Sequence, residues 1–303
     1  MLGGVIWLSG RLAFEMERSA QPQIIVSGVR QAGIVGALLL AVFSAVTTSA
    51  LANAYERKLA DARSNYDYLI ERRGRALRRT HDAVIFGLAK LAESRDDDTG
   101  EHLDRIRVYT RLLAEELSRT NAALTREYIN TLELASSLHD IGKVGVPDAV
   151  LLKEGPLTPR EREIIEHHPL IGGDCLLAMR ERMGDDHFLD TACEIAFAHH
   201  ERWDGTGYPF GLCGEQIPLP ARIVALADVY DALTTRRTYK PAFSHKQARQ
   251  IILEGRARHF DPHVVDAFLA VEERFREVSA RNSAGVARPP LKKAVEALAV
   301  AAD

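Results

Sequence analysis

Residues 198–211 read AHHERWDGTGYPFG, and the fold turns on why they do so. Two adjacent imidazoles, His199 and His200, close an apolar helix-like run and lead straight into a turn made from Asp204, Gly205, Gly207 and Pro209. Packing asks for neither ring. Neighbouring imidazoles imply a common partner, so other ligand-type side chains must return to them. The second conspicuous cluster is His139-Asp140, in LHDIGKVGVPD at 138–148. It sets a nitrogen donor beside an oxygen donor able to bridge, a combination suited to a pair of divalent cations. Taken in order, His102, His139, His168, His199 and Asp228 are separated by 37, 29, 31 and 29 residues. A helix of about a dozen residues, a turn and a returning helix use roughly that length, so positions with this rhythm can all come back to one end of a helical bundle.

The surrounding sequence supports helices. Asp98-Thr99-Gly100 opens a run to about Ser118, Thr125 opens another through Leu138, and Thr158-Pro159 with Glu161 close behind has the pattern of a capped start. Further helices are expected near Asp190–His200, Ala221–Leu233, His245–Gly255 and Pro262–Val278. Residues 82–280 therefore read as an all-α domain. Residues 281–303, with Arg288-Pro289-Pro290 and then LKKAVEALAVAAD, read as a tail carrying one short helix.

Upstream, Ala32 to Ala52 run 21 positions without a charge, enough to cross a hydrocarbon core of about 30 Å. Residues 32–52 are expected to be a transmembrane helix following a short N-terminal segment, 1–31. A cleaved signal peptide is the rival, because Ala50-Leu51-Ala52 resembles a small-residue cleavage site. Arg57, Lys58, Arg63, Arg72 and Arg73 follow the segment, whereas Arg11, Arg18 and Arg30 precede it beside Glu15 and Glu17. That bias places the C-terminal side in the cytoplasm and the protein in the inner membrane. Residues 53–81 carry Tyr55, Leu59, Ala62, Tyr66, Leu69 and Leu77 at helical spacings, which suits a coiled-coil linker and a homodimer. The net charge of −3 argues against DNA or RNA as partner. Cys175, Cys193 and Cys213 form no CxxC pattern, so neither a disulfide framework nor a zinc knuckle is indicated.

Taken together and in order, the motifs RDDDTGEHLDRIR, LHDIGKVGVPDAVLLKEGPLT, EHHPLIGG, HHERWDGTGYPFGLCGEQIPLPARI, ALADVYDALTTRRTYK and HFDP resemble the HD-GYP family, a branch of the HD superfamily of metal-dependent phosphohydrolases. The likeness runs from about Lys90 to Val278. It implies an α-helical bundle of the HD type that holds two or three divalent ions, iron or manganese, and hydrolyses cyclic di-GMP to linear pGpG, in some members on to GMP. By motif, His102, His139, Asp140 and Asp228 would hold a first ion. His168, His199 and His200 would hold a second, with Asp140 bridging. Lys143 matches a phosphate-contacting lysine and would project from the helix end that carries His139, if that helix continues. Arg237 and Lys240 match further substrate-binding positions, and Tyr208 or Trp203 would stack on guanine or anchor the loop. Asp231 is expected to orient a ligand or a water. Family members with a third ion usually carry glutamate four residues before the first histidine; here that position is Asp98, a ligand or a helix cap. The competing readings are a superfamily hydrolase of another nucleotide and a receptor that binds a cyclic dinucleotide without turnover.

Overall fold

The computed structural model describes residues 11, 22–95, 101–184, 186–236 and 242–283. Among them every extended element is a helix, and pairing of β type is confined to isolated bridges such as Asp204 with Cys213. The helices are α1 Pro22–Glu93, α2 His102–Leu117, α3 Arg126–Ala135, α4 Asp148–Leu151, α5 Pro159–Ile165, α6 His168–Met183, α7 His187–Ala198, α8 Leu219–Thr234, α9 His245–Glu254 and α10 Pro262–Ser283. Asp98, Arg237 and Lys240, and the expected tail helix, lie outside the described residues.

The chain divides into two compact units between Leu77 and Arg78. In the first, α1 is long and apolar enough to cross a membrane. Leu38, Leu39, Leu40, Val42 and Phe43 are all exposed, so apolar side chains surround the helix. The hydroxyls of Thr47 and Thr48 donate to the carbonyls of Phe43 and Ser44, at 2.8 and 2.7 Å, so both are satisfied within the helix itself.

In the second unit, the end of α1 buries Ile85, Ala89 and Ala92, whose spacing of four and three residues gives one helical face. Helix α2 packs against α3, α8 and α10, and α7 packs against α3, α6 and α8. Between α2, α8 and α10 lies an aromatic core. Tyr109 stacks on Phe275 with ring centroids 4.4 Å apart, and Tyr230 and Phe268 meet Phe275 edge-on or nearly so. The caps behave as the residue types dictate. Thr125 accepts from the Tyr128 amide, and Thr158 and Glu161 close a reciprocal capping box. Helix α7 begins three residues earlier than Asp190, because Asp186 caps the amides of Phe188 and Leu189.

One segment departs from expectation. The helix ending near Leu138 does not carry on through Lys143. It tightens into a 3-10 turn at Ser136–Leu138, passes through Asp140 at φ −101° and ψ 12°, and forms a second 3-10 turn at Ile141–Gly145. The cause is contact with α6: a Cβ on Gly142 would fall 2.0 Å from the His168 carbonyl oxygen and 2.5 Å from the Gly172 nitrogen. Only glycine allows the two backbones this close, and the approach is what carries Asp140 to His168.

Candidate metal centre

Helix ends supply the ligand-type side chains. His102 is the first residue of α2, His168 the first of α6, and His199 the C-cap of α7; His139 closes the Ser136–Leu138 turn. All four are buried. In each ring Nδ1 is already committed. His139 bonds the Ser136 carbonyl at 2.9 Å, His168 that of Ile165 at 2.6 Å, His199 that of Ile195 at 3.0 Å, and His102 the Asp231 carboxylate at 2.7 Å. An Nδ1 that donates to oxygen leaves Nε2 as a bare lone pair in the neutral ring. All four Nε2 atoms are thereby aimed inward.

Asp140 stands among them with its oxygens divided. Oδ1 lies 3.1 Å from His168 Nε2 and 3.6 Å from His199 Nε2, while Oδ2 lies 3.3 Å from His139 Nε2 and 2.8 Å from Lys143 Nζ. Two groups of donors share it: Asp140 with His168, His199 and His200, and Asp140 with His102 and His139. Asp228 faces the second group, its Oδ1 3.7 Å from His102 Nε2 and 4.0 Å from His139 Nε2. Lys143 thus reaches the centre, although from a 3-10 turn and not from the continuous helix that the sequence suggested. Its neighbours Glu93, His102, Asp140, His200, Asp228 and Ala232 line a cavity of about 180 Å³ with it. A larger cavity, about 440 Å³, opens beside Tyr128, Arg180 and Glu194 and contains none of these donors.

The donor set fits divalent cations. His168 Nε2 and His199 Nε2 face each other at 3.5 Å, two lone pairs with no proton between them once both Nδ1 atoms donate. Buried His139 Nε2 and Asp140 Oδ1 make no hydrogen bond of good geometry. Such groups are costly unless something positive sits among them. Electrostatics divide the centre into two ends. Burial lowers the pKa of His199, and burial with the neighbouring rings holds that of His200 well below the usual imidazole value, so these rings are neutral donors. At the other end burial also opposes charge on His139, but Asp140 and Asp228 outweigh it and raise its pKa to about 9. His102 is raised as well, its burial outweighed by Asp231 and Asp228. Asp140, despite the upward push of burial, is held well below the carboxylate range by Lys143 and His139. The carboxylate-rich end is short of positive charge, and the imidazole-rich end offers neutral nitrogen.

Several supporting residues had no sequence signal of their own. Arg105, buried on the same face of α2 as His102, donates to Asp231 through Nε at 2.5 Å and Nη2 at 2.9 Å, so that Asp231 orients His102 without joining the centre. Glu201, 2% exposed, accepts from the amides of Phe210 at 2.7 Å and Leu212 at 3.0 Å and ties down the loop that follows His200. A Cβ on Gly207 would lie 2.4 Å from the Arg202 nitrogen, which accounts for glycine there. Trp203 anchors the same loop, its amide donating to the His259 carbonyl and its ring lying under Arg222. Tyr208 stacks on His200, ring centroids 4.8 Å apart. His167 is exposed and turned back to the Glu163 carbonyl, apart from the centre as the helical phase requires. Arg95 clasps the segment after the His-Asp pair through the Val144 and Val146 carbonyls and Asp148.

An all-α bundle with imidazoles and a shared carboxylate gathered at helix ends defines a helical protein built to hold divalent metal. The HD domain family model matches residues 87–264. The chain belongs to that family, and to its HD-GYP branch. It is 52% identical over 66% of its length to a "Cyclic di-GMP phosphodiesterase" of Vibrio cholerae, of which it covers 42%. It is 42% identical over 67% of its length to the "Cyclic di-GMP phosphodiesterase response regulator RpfG" of Xanthomonas campestris, covering 51% of that protein. A "3'3'-cGAMP-specific phosphodiesterase 2" of Vibrio cholerae is 36% identical over 67% of the chain, with 37% of its own length covered. The chain spans about half the length, or somewhat less, of the curated relatives that it matches.

Proposed function

We infer that the protein is a metal-dependent phosphodiesterase that opens cyclic di-GMP to linear pGpG. One water is added to one phosphodiester, and a single P–O bond to the 3′ oxygen is broken. The observation that carries the chemistry is the facing pair His168 Nε2 and His199 Nε2 beside the divided carboxylate of Asp140. Identity of 52% to a cyclic di-GMP phosphodiesterase supports the substrate.

In this reading His102, His139, Asp140 and Asp228 hold one divalent ion, and Asp140, His168, His199 and His200 the other, iron or manganese in each case. Such ions, when bound, lower the pKa of a water and neutralise charge on a phosphate. The chain's own part is positioning. Fixed Nδ1 bonds keep the imidazoles from rotating, and Lys143, on the wall of the cavity, brings an ammonium to a phosphate oxygen that enters it. Tyr208, stacked on His200, holds that ring from the loop side and presents an aromatic edge to a base. Arg237 and Lys240 receive the second phosphate, and Asp98 serves as a ligand of a third ion or as a cap. The apolar part of α1 anchors the chain in the inner membrane with the second unit in the cytoplasm. The exposed stripe Tyr55, Leu59, Tyr66, Leu69 and Leu77 supports pairing of two chains through residues 53–81.

The test uses the full chain in detergent, loaded anaerobically with Fe(II) or Mn(II) and given cyclic di-GMP or 3′3′-cGAMP, with products separated by chromatography. Metal-dependent release of pGpG, abolished in His139→Ala and Asp140→Ala, is the expected result. Binding of cyclic di-GMP without turnover would make the protein a receptor, and faster cleavage of 3′3′-cGAMP would reassign the substrate.

A further inference from the structure

Glu93 is the last residue of α1, a position where the partial negative charge of a helix end disfavours a carboxylate. It is nevertheless held in the interior, its side chain 9% exposed, and it lines the same cavity as His102, Asp140, Lys143 and Asp228. Its Oε1 is 3.9 Å from His102 Nε2, and Asp228 Oδ1 is 3.7 Å from that same nitrogen. His102 Nδ1 is bonded to Asp231, so Nε2 faces the two carboxylates. Carboxylates gathered in the interior need positive charge among them, and both separations from Nε2 are too long for hydrogen bonds. Each is nevertheless shorter than about 4.2 Å, twice a usual metal–ligand bond of about 2.1 Å, so an ion bound to His102 Nε2 is within reach of either carboxylate.

We propose that Glu93 is a metal ligand, its carboxylate joining His102 and Asp228 around a divalent cation at the carboxylate-rich end of the centre. The assignment rests on the metal-dependent reading given above and adds an oxygen donor from a helix outside the His-Asp motif. Because Glu93 ends α1, cation binding at this point also fixes the end of that helix against α2. The extra oxygen hardens this end relative to the imidazole-rich one, and so favours manganese or iron(II) over softer ions there.

The experiment measures metal content and Mn(II) affinity, not activity. Full-length wild type, Glu93→Gln and Asp98→Asn are loaded anaerobically with Mn(II), freed of excess and analysed for bound metal, with free Mn(II) followed by electron paramagnetic resonance. Glu93→Gln is expected to lose one equivalent or to bind its weakest ion at least about tenfold less tightly, the scale on which even groups behind the ligands act. Wild-type stoichiometry and affinity in Glu93→Gln, or a loss confined to Asp98→Asn, overturns the assignment. A wild type that binds no metal sinks the underlying reading instead. Should Glu93→Gln fail to fold, anomalous diffraction from Mn-loaded wild type decides the matter. A manganese peak in bonding contact with the Glu93 carboxylate upholds the assignment, and a carboxylate remote from every peak refutes it.

Discussion

Asp231 serves two purposes that a pair of variants can separate. It is 1% exposed and accepts two hydrogen bonds from Arg105, one from His102 and a long one, 3.5 Å, from the Thr235 hydroxyl. Removing it by Asp231→Ala takes the bidentate acceptor from a guanidinium that is itself only 5% exposed, while Glu101 remains near Arg105 at 3.9 Å. Breaking a buried pair from one side costs about 3–5 kcal/mol, and the residual Glu101 contact argues for the lower part of that range. The same change frees the His102 ring to rotate, which should weaken metal binding by about 10- to 100-fold. Replacing both partners, Arg105→Met with Asp231→Leu, removes the stranded charge and should bring stability back to within about 1 kcal/mol of wild type. Metal affinity should stay low, because nothing then directs Nδ1 of His102. Chemical unfolding of metal-stripped protein gives the first quantity and Mn(II) titration the second. A double variant that regains wild-type metal affinity, or an Asp231→Ala protein less than about 1 kcal/mol destabilised, would refute the reasoning.

Gly142→Ala puts a methyl against the His168 carbonyl oxygen and Gly172 backbone, so it should destabilise by about 3 kcal/mol or more and separate Asp140 from His168, read as lower stability together with lost metal. Phe275→Ala empties a fully buried site stacked on Tyr109 and should cost about 3–5 kcal/mol, with full metal content at temperatures where the protein stays folded. Glu161 is held down to about 2 by Lys153 and by the Thr158 amide and hydroxyl. Its folded pKa lies below the unfolded value of about 4.3, so its contribution is complete above that pH and disappears as pH falls through about 2. The Tm of Glu161→Gln should therefore lie below wild type at neutral pH and converge with it on acidification; a constant gap would show that the carboxylate charge is not involved.

The helices and the gathering of the histidines were legible because both depend on periodicity. His102, His168 and His199 sit at helix ends, and a regular helix-turn-helix length returns each of them to one end of the bundle. The break after His139 has a sequence signal in Gly142 and Gly145, since two glycines in five residues make a poor helix. The helix expected near Asp190–His200 starts earlier, at His187, because Asp186 in extended conformation caps the amides of Phe188 and Leu189. Glu93, Glu201 and Arg105 carry no such signal. Their importance comes from which atoms they meet across the fold, Glu201 with the Phe210 and Leu212 amides and Arg105 with a carboxylate 126 positions away. Spacing along a chain does not record contacts of that kind.

The imidazoles of the centre differ in what steers them. Those of His139, His168 and His199 are aligned by main-chain carbonyls, which every amino acid possesses, so no point substitution can delete the steering oxygen itself. His102 alone of the four leans on a side chain. Changes in affinity or in the choice of cation are therefore most easily acquired at that corner, by mutation in nature or by deliberate redesign, while the other three rings keep a geometry that the polypeptide backbone guarantees.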